Sequence, residues 1–199
     1  MYSKLLAIIL SAYFCLVSVS ARANTVINFE DLSDSDTVGS HYQGITFTNA
    51  VVLTAGDSLN EFDFPPHSGI NAIIDQSGPI TISFQDAVSS ISGYFTHTLP
   101  LSMEAYDSNN QLLGSTNSFF LNNTALNGDA ASSPNELMSL SFSNLGISKV
   151  IILGESSGSS FVADDFTFTT TSAVPLPQSS VLLFSGLMVI GALTRRRLT

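Results

Sequence analysis

Between Asn24 and Thr170 apolar side chains recur at every second position in short runs, and this alternation constrains the fold more than any other feature of the chain. Met138, Leu140 and Phe142 alternate with Ser139 and Ser141, and Phe166 and Phe168 with Thr167 and Thr169. A period of two places one set of side chains on a buried sheet face and the other in water. The runs are rich in Val, Ile, Phe and Thr and are separated by clusters of Gly, Asn, Asp, Ser and Pro, while helix signals are nearly absent. Strands are expected at 25–29, 44–54, 71–75, 79–84, 88–97, 101–107, 111–116, 137–142, 148–153 and 161–169. Asp107-Ser108-Asn109-Asn110 reads as a hairpin turn, since Asn and Asp tolerate positive φ. About ten short strands with close turn signals predict an all-β fold, an antiparallel β-sandwich or jelly roll, across residues 24–170. Two polar stretches, Asp31–Gln43 and Phe119–Pro134, read as loops at its rim, suited either to binding or to simple variation.

The ends have a different character. Lys4 precedes an apolar run from Leu5 to Val19, and Ala21-Arg22-Ala23 has the small-residue form that signal peptidase accepts, so residues 1–23 read as a signal peptide. Five of the six basic residues, Lys4, Arg22, Arg195, Arg196 and Arg197, lie in the end segments. Between them Lys149 faces all 16 acids, a net charge of −15 that repels phosphate backbones and anionic lipid and argues against nucleic-acid binding. The only cysteine, Cys15, falls in the leader, so the mature domain has no thiol chemistry.

After a short linker at 171–173 come Val174-Pro175-Leu176-Pro177, an apolar helix predicted over 179–194, and the basic cluster Arg195-Arg196-Arg197. The prolines favour an extended backbone and the arginines hold the far end at the cytoplasmic face. The 16 residues from Ser179 to Thr194 fall short of the ~20 that a stable span needs. This three-part tail, residues 174–199, resembles the PEP-CTERM sorting signal of Gram-negative bacteria in its Val-Pro-Leu-Pro form. The resemblance implies processing by an exosortase, transient membrane association through the helix, and delivery to the cell surface or extracellular matrix. Gln178-Ser179-Ser180 departs from the residues usual after the second proline in such tails.

Within the domain, Phe161-Val162-Ala163-Asp164-Asp165-Phe166-Thr167-Phe168 is the sharpest local feature. Strict alternation puts Asp164 on the face of Val162, Phe166 and Phe168, where a carboxylate is costly unless neutralised or hydrogen-bonded. A hard cation is one solution; a bulge or edge that lets both carboxylates cap backbone N–H groups is the other. The strand resembles the Asp-Asp strand of jelly-roll carbohydrate-binding modules, and Phe29-Glu30-Asp31-Leu32 resembles their acidic N-terminal segment. This resemblance implies a structural calcium held by Glu30, Asp31, Asp164 and Asp165, an oxygen-only set. The segment from Leu101 to Asp107, with Gln111-Leu112-Leu113 after its polar turn, resembles a hairpin of galactose-binding-like sandwiches.

Other motifs carry less. Gly154-Glu155-Ser156-Ser157-Gly158 has the G-x-S-x-G spacing but is followed by a strand rather than a helix, and its nearest histidine, His97, lies upstream. His41, His67 and His97 lack zinc spacing. Among the tyrosines suited to stacking on sugar rings, Tyr42 in the polar 31–43 segment is the best exposed candidate, ahead of Tyr94 and Tyr106 on predicted strands. The sequence therefore reads as an exported, non-enzymatic β-sandwich of the surface or matrix, binding polysaccharide weakly. The alternative is a secreted glycan-active hydrolase.

Overall fold

The computed structural model describes residues 24–143 and 145–170. The leader, the linker and the sorting tail inferred above lie outside the described residues. Among those described, no helix is long and apolar enough to cross a membrane.

The described chain forms ten strands: β1 (Asn24–Ile27), β2 (Ile45–Thr48), β3 (Ala50–Thr54), β4 (Asn71–Asp75), β5 (Ile80–His97), β6 (Ser102–Tyr106), β7 (Leu112–Asn117), β8 (Glu136–Ser141), β9 (Ile147–Leu153) and β10 (Phe161–Thr170). All the strand pairs are antiparallel, and the order is β3-β4-β10-β5-β9-β6-β7, with β1 added to β10 and β2 and β8 added to β5. The all-β, antiparallel expectation is met. Two expected strands, 79–84 and 88–97, are in fact the single strand β5. Its first part pairs with β2 and β9 and its second with β10 and β8, with a register shift against β9 between Ser83 and Val88. One continuous hydrogen-bonded sheet thus takes the place of two separate ones. The expected run 44–54 is divided instead, because Asn49 has φ 62° and turns the chain between β2 and β3.

The sheet folds over its own apolar face. Phe47 of β2 meets Phe166 of β10 edge-on at 5.9 Å, and Phe84 of β5 meets Phe168 at 5.1 Å. Phe166 also lies against Phe29 at 6.1 Å and Phe95 at 5.8 Å, so one buried ring links β10 to β2, to β5 and to the segment after β1. Edge-to-face aromatic pairs add to the burial energy of each ring. Gly93 of β5 makes room for this ring: a Cβ there would stand 3.0 Å from two Phe166 carbons.

Truncating such a ring leaves a cavity ringed by aromatics that cannot collapse. Phe166→Ala is expected to cost about 3–5 kcal/mol of unfolding free energy, read from urea denaturation.

Candidate functional site

The strand that carries Asp164 and Asp165 does not alternate through them. Phe161 and Ala163 face the core, and so do Phe166 and Phe168. In between, Asp165 adopts φ 48°, and the register against β5 shifts between Asp164 and Thr167. The two residues form a bulge, which puts Asp164 on the side of Val162 and away from Phe166 and Phe168, correcting the strict alternation read from sequence.

What covers this outer side is the turn 67–71. Asp164 Oδ2 accepts the backbone N–H groups of His67 and Ser68, both at 2.9 Å, and its Oδ1 accepts Asp165 N–H at 2.6 Å. Asp165 takes the Ser68 hydroxyl at 2.9 Å and lies 2.6 Å from His67 Nδ1. The His67 ring stacks on Tyr94 with centroids 3.4 Å apart. Glu30 Oε1 caps the other end of the turn, accepting from Ile70 N–H at 3.0 Å and Asn71 N–H at 2.8 Å. Gly69 permits this: its φ is 55°, and a Cβ would collide with the Glu30 carboxylate. Asp31 stands apart from this turn, bonded to the Tyr42 hydroxyl at 2.7 Å and His41 Nε2 at 2.9 Å.

Three of the four expected calcium ligands therefore converge on one turn, as acceptors of N–H and O–H groups, and the fourth serves a different segment. Among the described residues no group of three or more His, Cys, Asp or Glu side chains is placed to hold a metal ion. The carboxylates as arranged do not fit a calcium cage, whose ligand oxygens turn toward a common centre.

Burial raises Asp164 to about 6, reinforced by the charge of Asp165 and opposed by the backbone N–H bonds from Ser68, Asp165 and His67. Burial likewise pushes up Asp75, which holds Ser160 N–H at 2.9 Å and Phe161 N–H at 3.2 Å. Asp75 lies at the C-terminal end of β4 and ties it to the start of β10, a structural role that its sequence context did not signal.

Tyr42 is half-buried rather than freely exposed. Its ring packs edge-on against Phe29 at 6.0 Å and Phe47 at 6.4 Å, and burial together with the Asp31 bond raises its phenol. It forms one wall of an open groove of about 420 Å³ between the turn before β2 and the middle of β5. The other lining side chains are Ser40, Gln43, Ile45, Thr46, Ser83, Phe84 and Gln85, with Gly44 at the turn. Gln85 N–H bonds to Gly44 O at 2.8 Å, which fixes the two sides of the groove relative to each other. Of the other tyrosines, Tyr94 has one face under His67, and Lys149 Nζ stands 4.8 Å from the centre of the Tyr106 ring.

The G-x-S-x-G segment sits in the connection between β9 and β10, where the Ser156 hydroxyl bonds only to its neighbour Glu155 at 3.4 Å. His97, fully buried, faces Glu136 at 3.4 Å and reaches no serine.

No protein-family model matches the chain, and no curated protein matches it. Among solved structures, a family 29 carbohydrate-binding module is similar at 9% identity, covering 79% of this chain and 100% of its own, with a TM-score of 0.41. A DUF4465 family protein from Bacteroides caccae is similar at 12% identity, covering 76% and 87%, with a TM-score of 0.44. A family 6 module from Clostridium stercorarium, in complex with cellobiose, is similar at 15% identity, covering 74% and 94%, with a TM-score of 0.38. None of these likenesses assigns a function to the chain.

Two outcomes follow from the carboxylate arrangement. Asp164 binds its proton more tightly when folded, at about 6 against an ordinary 3.8, so its contribution is fully present below 3.8 and lost as pH rises through 6. Asp75 acts with the same sign, whereas the lowered Asp31, Asp34 and Asp107 weaken the fold only below 3.8. Thermal midpoints should therefore be higher at pH 5 than at pH 7.5, and Asp164→Asn should flatten that slope. Midpoints in EDTA and in excess calcium should coincide within about 1 °C, because a ligand stabilises only where it binds the native state.

Proposed function

We propose that this chain is an exported protein of the cell surface or extracellular matrix whose jelly-roll domain binds polysaccharide without catalysis. The groove beside Tyr42 carries the reading. On a domain with one lysine and sixteen acids, its lining is uncharged: two glutamine amides and the hydroxyls of Ser40, Thr46 and Ser83, set beside the aromatic ring of Tyr42. Amides and hydroxyls exchange hydrogen bonds with sugar hydroxyls in both directions, and aromatic surface suits the apolar faces of sugar rings. Its volume lies within the usual range of ligand clefts. No carboxylate lines it, which counts against glycan hydrolysis, a reaction that needs a facing pair of acids.

Export and sorting rest on the ends of the sequence. Ala21-Arg22-Ala23 marks release by signal peptidase, and Val174-Pro175-Leu176-Pro177 with Arg195-Arg196-Arg197 marks processing by an exosortase after a pause in the inner membrane.

One preparation tests both parts. Protein recovered from the surface of its native host should have an intact mass that lacks residues at both ends, near Ala23 and near 174–177. The same material should be retarded on at least one immobilised neutral polysaccharide, and Gln43→Ala combined with Gln85→Ala should weaken retention about tenfold, the equivalent of ~1.4 kcal/mol. Retention by no member of a broad panel, or a mass with Arg195–Thr199 still attached, would overturn the respective part.

A further inference from the structure

Four large apolar side chains are more exposed than any other in the described domain: Phe119 at 86%, Phe62 at 74%, Leu126 at 70% and Leu121 at 67%. Phe62 is far in sequence from the other three, which share one loop, yet the two loops are stitched together. Asp63, next to Phe62, accepts Ala125 N–H on its backbone oxygen at 2.9 Å and Leu126 N–H on its carboxylate at 2.9 Å. Exposed apolar residues scattered singly need no explanation, but a group of this kind on joined loops marks an interaction surface.

The surface is built, not left over. Each of the three residues on the longer loop has its backbone N–H held by a carboxylate: Phe119 by Glu136 at 2.7 Å, Leu121 by Asp129 at 2.8 Å and Leu126 by Asp63. Asn123, fully buried, anchors the same loop to the end of β5 by accepting His97 N–H at 2.7 Å and donating to Phe95 O at 2.9 Å. Holding apolar side chains out in water on a fixed backbone lowers the ordering cost of binding.

Register locates this surface. Phe161 of β10 pairs with His97, at the end of β5 that Asn123 grips, whereas Thr170 pairs with Val88 and Thr169 with Asn24 at the other end. The chain therefore enters and leaves at one end of the domain and carries the apolar loops at the opposite end. The nine residue steps from Val88 to His97 put ~30 Å between the two. The groove lined by Phe84 and Gln85 belongs to the entry and exit end.

We propose that the Phe62, Phe119, Leu121 and Leu126 surface is a second binding face for neutral polysaccharide, distinct from the groove, so that one domain engages two sugar chains. The proposal rests on the polysaccharide reading above and adds a site to it. Charge selects the occupant. The domain's single lysine, Lys149, lies on β9 with Asn110 and Tyr106, so no cation serves an anionic partner here. Two copies meeting through this face would set one patch bearing Asp63, Asp129 and Glu61 against a second patch bearing the same three acids, with no lysine or arginine between them. A neutral sugar chain meets neither obstacle: its ring faces suit the phenylalanines, and its hydroxyls donate to the surrounding carboxylates and amides.

The test uses exported protein from the native host on immobilised neutral polysaccharides and compares three forms: wild type, Phe62→Ala with Phe119→Ala, and the groove variant Gln43→Ala with Gln85→Ala. The two phenylalanines are exposed, so thermal midpoints should agree within about 1 °C. The loop variant is expected to lose retention about tenfold and, unlike wild type, to fail to cross-link soluble polysaccharide into a precipitate, with Leu121→Ser plus Leu126→Ser behaving alike. Full retention by the loop variant with loss in the groove variant would overturn the second face and leave the proposed function intact. The proposal also falls if the loop variant changes only the size of the protein on gel filtration, which makes the occupant a second copy. It falls as well if the variant changes only binding to phosphatidylcholine vesicles, which makes it a lipid surface, or if wild type is retained by no polysaccharide.

Discussion

A carboxylate buried or half-buried in a protein needs a donor, and this domain supplies almost no cationic ones: Lys149 is its only basic side chain apart from three histidines. The backbone N–H group takes the place of lysine and arginine. Glu30 and Asp164 between them hold the turn 67–71, Asp75 holds the start of β10, Asp107 closes the β6–β7 hairpin, and Asp63, Asp129 and Glu136 shape the loops beyond β5. Each such bond is charge-assisted on the acceptor side and stronger than a neutral pair. Acidic composition that looks like a device for solubility or for gathering cations is thus also the means by which a loop-rich antiparallel sheet fixes its loops.

The bulge at Asp164 and Asp165 shows how this feeds back on the core. Asp165 takes a left-handed φ, which aspartate tolerates better than most residues, and the N–H and O–H groups of His67 and Ser68 occupy both carboxylates. The extra residue lets β10 turn Phe161 and Ala163 inward before it and Phe166 and Phe168 inward after it, so the aromatic centre and the outer turn are set by the same two residues. Gly93 on the facing strand completes the arrangement by leaving space for Phe166.

Strand positions were legible because period two survives wherever one sheet face is buried, as in β8 and β9. The continuity of β5 was not, since the alternation of apolar residues lapses at Gln85-Asp86-Ala87, which joins the part paired with β2 and β9 to the part paired with β10 and β8. In the acidic pair, sequence showed that the carboxylates needed partners but not which, because His67 and Ser68 lie almost a hundred residues away. Grouping Glu30 with Asp164 was sound in space, as both serve one turn, while Asp31 followed its neighbour only in sequence. The role of Asn123 had no signal: an asparagine in a polar loop looks the same whether it is solvated or standing in for a strand.

The distribution of these acids also shapes the surface that is left. A domain of net charge −15 would ordinarily present an acidic field to whatever it meets. Here the groove beside Tyr42 is lined by amides and hydroxyls, and the most exposed loops display Phe and Leu whose backbones are held from below by acids. Much of the charge is thereby engaged in fixing the loops, and the groove carries no charged side chain. A neutral face on a strongly acidic body discourages contact with anionic surfaces and with other copies of itself, but places little penalty on an uncharged polymer. The same bonds that hold the fold together in the absence of lysine therefore also narrow the chemistry of what it can hold.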